Sequence, residues 1–433
     1  KELITDKESV FTKEELLRES MKLSLGTYTL DDFQKEILND EELINFEKNI
    51  YSTKEMIEIE KSIIENAKDF KNSFSSIANQ ETLNSFVEKN YSTMTTGQKE
   101  SFTHILNSKD LICGVQGDAG TGKTFMLKAV KDFIEKSECK YQLQGLSFTG
   151  KAADEIQKEA NIDSTTLHSF LNQKEFKENQ IYIVDEASMI GSKQMKELIE
   201  KTKKTNSKIV LIGDTKQFQT LSAGGIFEQL QKDDVMQTSI MSESKRANTE
   251  TMKSLYKDIK NKDIEKAFET LEKNELIKES SDLNEVKEEY LKDKDNTLLI
   301  ASKNSDKNYL NEAIRSELKS DFSSARNFKI RESINLNNTE KYFAKYYQVG
   351  QVVFIQKGFK GLKAGSEAVI ESINQDRNTI TIKSKDKDIE IDLKKDGTKI
   401  SNFQIKSKEF AVKEQIVFTK NDKKLNIKNG QIA

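Results

Sequence analysis

The sequence contains no proline, two cysteines and two histidines in 433 residues. Average usage near 5 % would give on the order of twenty prolines. Heavy use of Lys, Asn and Ile points to an AT-rich coding sequence, which lowers proline without removing it. No physical argument accounts for the complete loss, but it excludes proline-rich spacers. His104 and His168 are too few for a histidine-rich metal site, and with Cys113 and Cys139 they give no basis for a Cys/His zinc site. One disulfide remains arithmetically open, yet a reduced, cytoplasmic protein is the expectation. No run approaches the roughly 18 apolar residues of a membrane helix, and no signal peptide is visible. No membrane insertion is expected. Formal net charge is −3, so any binding of nucleic acid needs a local basic groove rather than overall charge.

What is present is a polar chain, 35 % hydrophobic and 33 % charged, long enough for three or four domains. Residues 1–90 read as a helical domain. "FTKEELLRESMKLSL" pairs Thr12 with Glu15 as a capping box, and "YSTKEMIEIEKSIIENAKDF" repeats the device with Ser52 and Glu55. From 91 to about 240, "LICGVQG", "YQLQGLSF", "IYIVDEA" and "KIVLIGD" alternate with amphipathic stretches, the pattern of a parallel sheet covered by helices. "NTLLIAS" at 296–302 reads as a strand of a second, partial α/β domain over 241–344. Beyond 345 the apolar period falls to two, with a hairpin turn at "NQDRN", which predicts a small antiparallel β module over 345–433. The expected fold is therefore α/β, built on a P-loop sheet.

Gly117–Thr124, "GDAGTGKT", fits G-x-x-x-x-G-K-[ST] between a predicted strand and a predicted helix. Gly117, Asp118, Ala119, Gly120, Thr121 and Gly122 would turn backbone N–H groups around phosphate oxygens, with help from the helix N-terminus. Lys123 would reach the β and γ phosphates of ATP, and the Thr124 hydroxyl would bind Mg²⁺. "IYIVDEASM" ends a strand on Asp185, a second Mg²⁺ ligand, and Glu186, a base for the attacking water. "KIVLIGDTKQ" delivers Gln217, a sensor of the γ phosphate. Gln98, in "TTGQKESF", could read the adenine edge by paired hydrogen bonds. Arg246, in "MSESKRAN", could stabilise charge in the transition state or, as a lone arginine, form a surface salt bridge. For DNA, Phe148 and Phe218 are stacking platforms or core residues, and Thr149 and Lys151 are phosphate contacts. The lysine-rich "SKQMKELIEKTKKTNSK" is a DNA contact or a solvated helix face.

Together these residues resemble a superfamily 1 helicase of the RecD-like branch. Gln98 matches its Q motif, 117–124 motif I, "FTGKAADEI" motif Ia, "VDEASM" motif II, "GDTKQ" motif III and Arg246 motif IV. A nearer resemblance is to the helicase region of MobF-type conjugative relaxases, the TraI/TrwC kind. "YSTKEMIEIEKSI", "STTLHSFL" (which carries His168, a DNA-binding candidate by this match) and "EQIVFTKNDKKLNIKNGQIA" all have counterparts there. The resemblance implies a RecA-like motor domain, part of a second one and an SH3-like insertion. It further implies ATP and Mg²⁺ as cofactors, single-stranded DNA as partner, 5′ to 3′ travel and a monomer. Type IV secretion coupling components are a second implied partner, with export to a recipient cell during conjugation. Motifs V and VI are absent, as is a histidine-rich nicking site. Thr220, Phe148 and Ala247 depart from the usual residues. The expectation is ATP binding with weak or absent hydrolysis by this region and helicase activity only in a longer protein. The alternative is a catalytically weak module that binds single-stranded DNA or is recognised by the secretion apparatus. A stand-alone P-loop kinase leaves motifs Ia and III unexplained.

Overall fold

The computed structural model describes every residue except 1, 6–7, 25–27, 48, 119, 217–224, 244–248, 319–322, 335, 337–339, 385–386, 419–424, 426 and 428–429. The chain divides into two compact units, Lys1–Lys278 with Val417–Ala433, and Glu279–Ile416.

The first unit opens with a small subassembly. Thr12 and Glu15 form the expected reciprocal cap: Thr12 N donates to Glu15 Oε2 at 2.8 Å, and Glu15 N to Thr12 Oγ1 at 3.1 Å. The stretch 1–90 is not wholly helical, however. Strands β1 (Phe11–Thr12), β2 (Leu43–Glu47) and β3 (Ile50–Thr53) make an antiparallel sheet in the order β1-β3-β2. Asn49, at φ 71°, supplies the left-handed turn residue that lets "LINFE" fold back on "IYST". The strand also moves the expected cap by one residue. Thr53, not Ser52, caps the helix Lys54–Asp69, accepting from Met56 N at 3.2 Å, while the Ser52 hydroxyl donates to Ser9 O at 2.5 Å. Thr53→Ala is expected to cost about 1 kcal/mol of stability, read from the urea midpoint.

Four apolar runs form the expected parallel strands: β4 (Ile112–Gly117), β5 (Gln142–Ser147), β7 (Gln180–Asp185) and β8 (Lys208–Gly213). Two short strands that the sequence did not advertise complete the sheet, β6 (Ser164–Thr166) and β9 (Thr238–Met241). The order is β6-β5-β7-β8-β4-β9, with every pair parallel. Val115, Ile183, Val210 and Ile212 are fully buried because helices cover both faces. Phe102, Val130, Phe133 and Met195 come from those helices. The same core takes in Ile59, Ile63, Phe70, Leu83 and Val87, whereas Ile4, Phe11, Leu16 and Ile37 form a separate small core.

In the second unit, helices Leu283–Lys292 and Asn304–Glu317 precede an antiparallel sheet. Its strands are β10 (Ser323–Ile334), β11 (Val352–Ile355), β12 (Glu367–Asn374), β13 (Thr379–Ser384), β14 (Lys387–Asp392) and β15 (Ile400–Val412), in the order β10-β15-β11-β12-β13-β14. The turn at 374–378 forms as expected, with Arg377 N donating to Asn374 Oδ1 at 3.0 Å and Asn378 left-handed at φ 55°. The strand expected at 296–302 does not form, and Leu298 and Ile300 stand 82 % and 81 % exposed. An apolar run becomes a strand only where a neighbour takes its N–H and C=O groups, and among the described residues none does.

Candidate functional site

A parallel sheet brings the carboxyl ends of all its strands to one edge. Ligands of open α/β sheets lie along that edge. Here it collects the loop after β4, Asp185 and Glu186 after β7, and Asp214 after β8, with β8 lying between β7 and β4.

The loop 117–124 turns through two left-handed glycines, Gly120 at φ 74° and Gly122 at φ 77°, before the helix Lys123–Lys136. A Cβ on Gly122 would strike the Gln98 amide, and one on Gly117 would lie 2.8 Å from Lys123 Cδ. Position 122 therefore demands glycine by backbone conformation and by contact, whereas a larger residue at Gly117 would displace the Lys123 side chain. Thr121 Oγ1 donates to Asp118 O at 2.9 Å, and Lys123 Nζ to Gly117 O at 3.1 Å. Thr124 follows Lys123 on the first turn of the helix and is half-buried. Beneath the loop, Gln98 is fully buried and its amide is committed at both ends. Oε1 accepts from Thr95 N at 3.0 Å, and Nε2 donates to Thr121 O at 2.8 Å. Each end of the amide keeps one further hydrogen-bonding position, so these bonds make Gln98 a prop of the loop without excluding contact with an adenine edge.

Asp185 Oδ1 accepts from the Glu186 N–H at 2.9 Å, and Glu186 occupies the left-handed region at φ 56°. That conformation is uncommon for a side chain of this kind and recurs at functional positions. Burial pushes both carboxyls above their ordinary range. The Lys123 ammonium opposes the shift on both, and Glu155, on the helix Gly150–Ala160, adds to it. Lys123 thus lies near enough for its charge to act on both carboxylates. Glu186 Oε2 is buried with no hydrogen-bond partner. Asp214 Oδ1 accepts from Gln116 Nε2 and from Lys216 N, both at 3.0 Å.

No three His, Cys, Asp or Glu side chains gather as a metal cage among the described residues. Mg²⁺ does not require one. It binds through one or two protein oxygens, phosphates and water. A hydroxyl and a carboxylate such as those of Thr124 and Asp185 suit that chemistry.

The candidate DNA residues of the first unit sit along the same edge. Phe148 is half-buried at the end of β5. Thr149 caps the next helix by accepting from Ala152 N at 3.2 Å, and Lys151 is exposed. His168 is exposed after β6, its Nε2 3.2 Å from Asn172 Nδ2. The lysine-rich helix Ser192–Lys203 buries Met195, Leu198 and Ile199 and pairs Lys201 with Glu197 at 2.7 Å, as a solvated helix face does. Ala119, Gln217, Phe218, Thr220, Arg246 and Ala247 lie outside the described residues. No helix among the described residues is long and apolar enough to cross a membrane.

Comparison with known proteins matches residues 93–282 to the AAA domain family. The conjugal transfer protein TraA of Sinorhizobium fredii is 35 % identical over 145 residues, covering 32 % of this chain and 13 % of that protein. The multifunctional conjugation protein TraI of Escherichia coli K12 is 31 % identical over 191 residues, covering 41 % of this chain and 11 % of that protein. The chain thus spans about an eighth or less of these relatives. A solved structure of Pif1 from a Bacteroides species superposes loosely, with a TM-score of 0.35 and 16 % identity over 73 % of this chain and 81 % of that one. Residues 93–282 are therefore similar to the AAA domain family, and part of the chain is similar to segments of the conjugal transfer protein TraA and the conjugation protein TraI.

Proposed function

We propose that this chain is the ATP-dependent, single-stranded-DNA motor region of a conjugative relaxase. The observation that carries the reading is that the glycine loop with Lys123 and the strand end with Asp185 and Glu186 lie at the same carboxyl edge of the sheet, near enough for the Lys123 charge to act on both carboxyls. In this reading Gly117–Gly122 cradle the phosphates and Lys123 binds the β and γ groups. Thr124 and Asp185 hold Mg²⁺, which when bound neutralises phosphate charge. Glu186 takes a proton from the attacking water. Gln217 and Arg246 are proposed to sense and stabilise the γ phosphate, and Gln98 supports the loop through Thr121. Single-stranded DNA runs over Phe148, Thr149, Lys151, His168 and Phe218, with travel 5′ to 3′. The region works as a cytoplasmic monomer and engages type IV secretion coupling components in the longer protein.

The second unit offers the local basic strip that a net charge of −3 requires. Strands β10 and β15 pair over most of their length, yet β15 meets β11 only from Ile400 to Phe403. Most of the rest is an exposed ribbon, with residues 409–411 half-buried and Arg315 held by Glu409. Its register sets Arg326 opposite Phe410, Phe328 opposite Lys408 and Ile330 opposite Lys406, so these six side chains share a face with Glu332, which pairs with Lys406 at 2.5 Å. The Phe328 and Phe410 rings meet edge to face at 5.9 Å, and Phe328 is 51 % exposed. Aromatic faces beside cations bind single strands with little sequence preference. Replacing Lys406 and Lys408 together by glutamine is expected to weaken binding of an oligothymidine. It should also flatten the log-log salt dependence by about 0.7 for each lost phosphate contact, measured by fluorescence anisotropy at several salt concentrations.

The deciding experiment is ATP hydrolysis with and without single-stranded DNA. It is run on this chain and on a version about 150 residues longer, a rough allowance for one more domain. Stimulation in the longer form is expected. Tight DNA binding without stimulation in either form would favour a catalytically weak recognition module. No calorimetric heat with magnesium-ATP would end the motor reading.

A further inference from the structure

Asp118 is an awkward residue for a loop that receives phosphate, because it places a carboxylate beside an incoming polyanion. Its position is fixed. Its N–H donates to Met241 O at 3.1 Å, and its C=O accepts from Thr121 Oγ1 at 2.9 Å. The carboxylate is paired with Lys260, the last residue of the helix Glu250–Lys260. Lys260 also feels the charge of Asp214, but that carboxylate is already held by Gln116 and the Lys216 N–H. The ammonium therefore stands over the phosphate loop on a flexible stem, with its side chain 37 % exposed and Asp118 19 % exposed. No sequence pattern singled Lys260 out. It is one lysine in a lysine-rich helix, and only folding brings it 142 residues back along the chain.

We propose that Lys260 is a nucleotide-binding residue whose ammonium moves from Asp118 to the phosphates of the bound nucleotide. The proposal rests on the reading of 117–124 as a triphosphate site. An ammonium has three donors and rotates freely, so it can exchange partners without moving the helix. A phosphate chain with several anionic oxygens competes well against one partly solvated carboxylate. Asp118 then acts as a holding partner that keeps the cation at the loop and competes with the nucleotide for it.

The test is titration of a fluorescent ATP analogue with magnesium against the 433-residue chain and its variants. Lys260→Ala is expected to weaken binding about tenfold, and Lys260→Arg to stay within about twofold. Asp118→Asn is expected to tighten binding several-fold. The decisive arm is the double variant. If Lys260 contacts phosphate, Lys260→Ala still weakens binding in the Asp118→Asn background. If Lys260 only neutralises Asp118 or clasps the helix to the loop, its removal does nothing in that background, and the proposal falls. It also falls if Asp118→Asn weakens binding. Exposed pairs contribute little to stability, so both single variants should melt with the wild type, and the arginine variant guards against misfolding. Loss of binding in Lys123→Ala calibrates the site. If the wild type bound no analogue, the triphosphate reading itself would fail, which is a different result from an unchanged Lys260→Ala.

Discussion

Lys123→Ala is expected to weaken binding of magnesium-ATP about a hundredfold or more, since a charge-assisted contact to phosphate in a shielded site is lost without a substitute. Two further effects reinforce the loss. The nearby ammonium favours the charged forms of Asp185 and Glu186 against burial. Without it, the carboxylate expected to hold magnesium is harder to ionise, so metal and nucleotide affinity should fall together. The lysine also bonds Gly117 O at 3.1 Å, so its removal loosens one wall of the loop. Isothermal calorimetry of wild type and variant measures the ratio directly. Similar affinities would mean that 117–124 is a glycine turn with no phosphate to hold. Global stability should change little, because the half-buried Lys123 lies at the edge of the core rather than in it.

Glu186→Gln should separate binding from chemistry. The substitution keeps size and removes one charge. The ATP dissociation constant should stay within about threefold, while hydrolysis in the presence of single-stranded DNA falls about 10²–10⁴-fold, the range for losing a positioned general base. A parallel loss of affinity, or an unchanged rate in single turnover, would remove Glu186 from that role. Stability gives a second readout. Burial raises the Glu186 carboxyl above its ordinary value, and the charge of Asp185 adds to the shift. The folded state therefore holds that proton more tightly than the unfolded chain. This contribution is complete below the ordinary carboxylate range and is lost as pH rises through the folded value. At neutral pH, Glu186→Gln should melt slightly higher than wild type, and its stability should depend less on pH across that window. Such a trade, in which a functional carboxylate lowers stability, is common at active sites.

Much of the candidate site's local geometry was legible because the proposed chemistry constrains consecutive residues. Gly117, Gly122 and Lys123 must follow a strand and open a helix, and Asp185 and Glu186 must end one. Periodicity locates strands and helices of that length. Gln98 was legible as a residue of interest but not in its bonding, since Thr121 O lies 23 residues away in sequence. The strands β6 and β9 escaped notice because three or four residues are too few for a period. The sheet in residues 11–53 escaped because strong helical caps on either side dominated the reading. Lys208 shows the same limit. It closes a lysine-rich stretch that reads as solvated, yet it is fully buried, donating to Ser108 O at 2.8 Å with its ammonium 5.3 Å from the Phe74 ring centroid. Burial accordingly pushes its amine below the ordinary lysine range.

By itself, the order of residues determined the local conformations: the left-handed glycines of the loop, the cap at Thr12, the strand that ends on Asp185, and the alternation that builds the antiparallel sheet. These depend on neighbours within a few positions, where sterics and hydrogen bonds act directly. Only the tertiary structure decided that β8 lies between β7 and β4, that 296–302 is no strand, and that Lys260 stands over Asp118. Each of those outcomes turns on whether a distant segment supplies a hydrogen-bond partner or a counter-charge. The chain can meet that requirement only after it has folded.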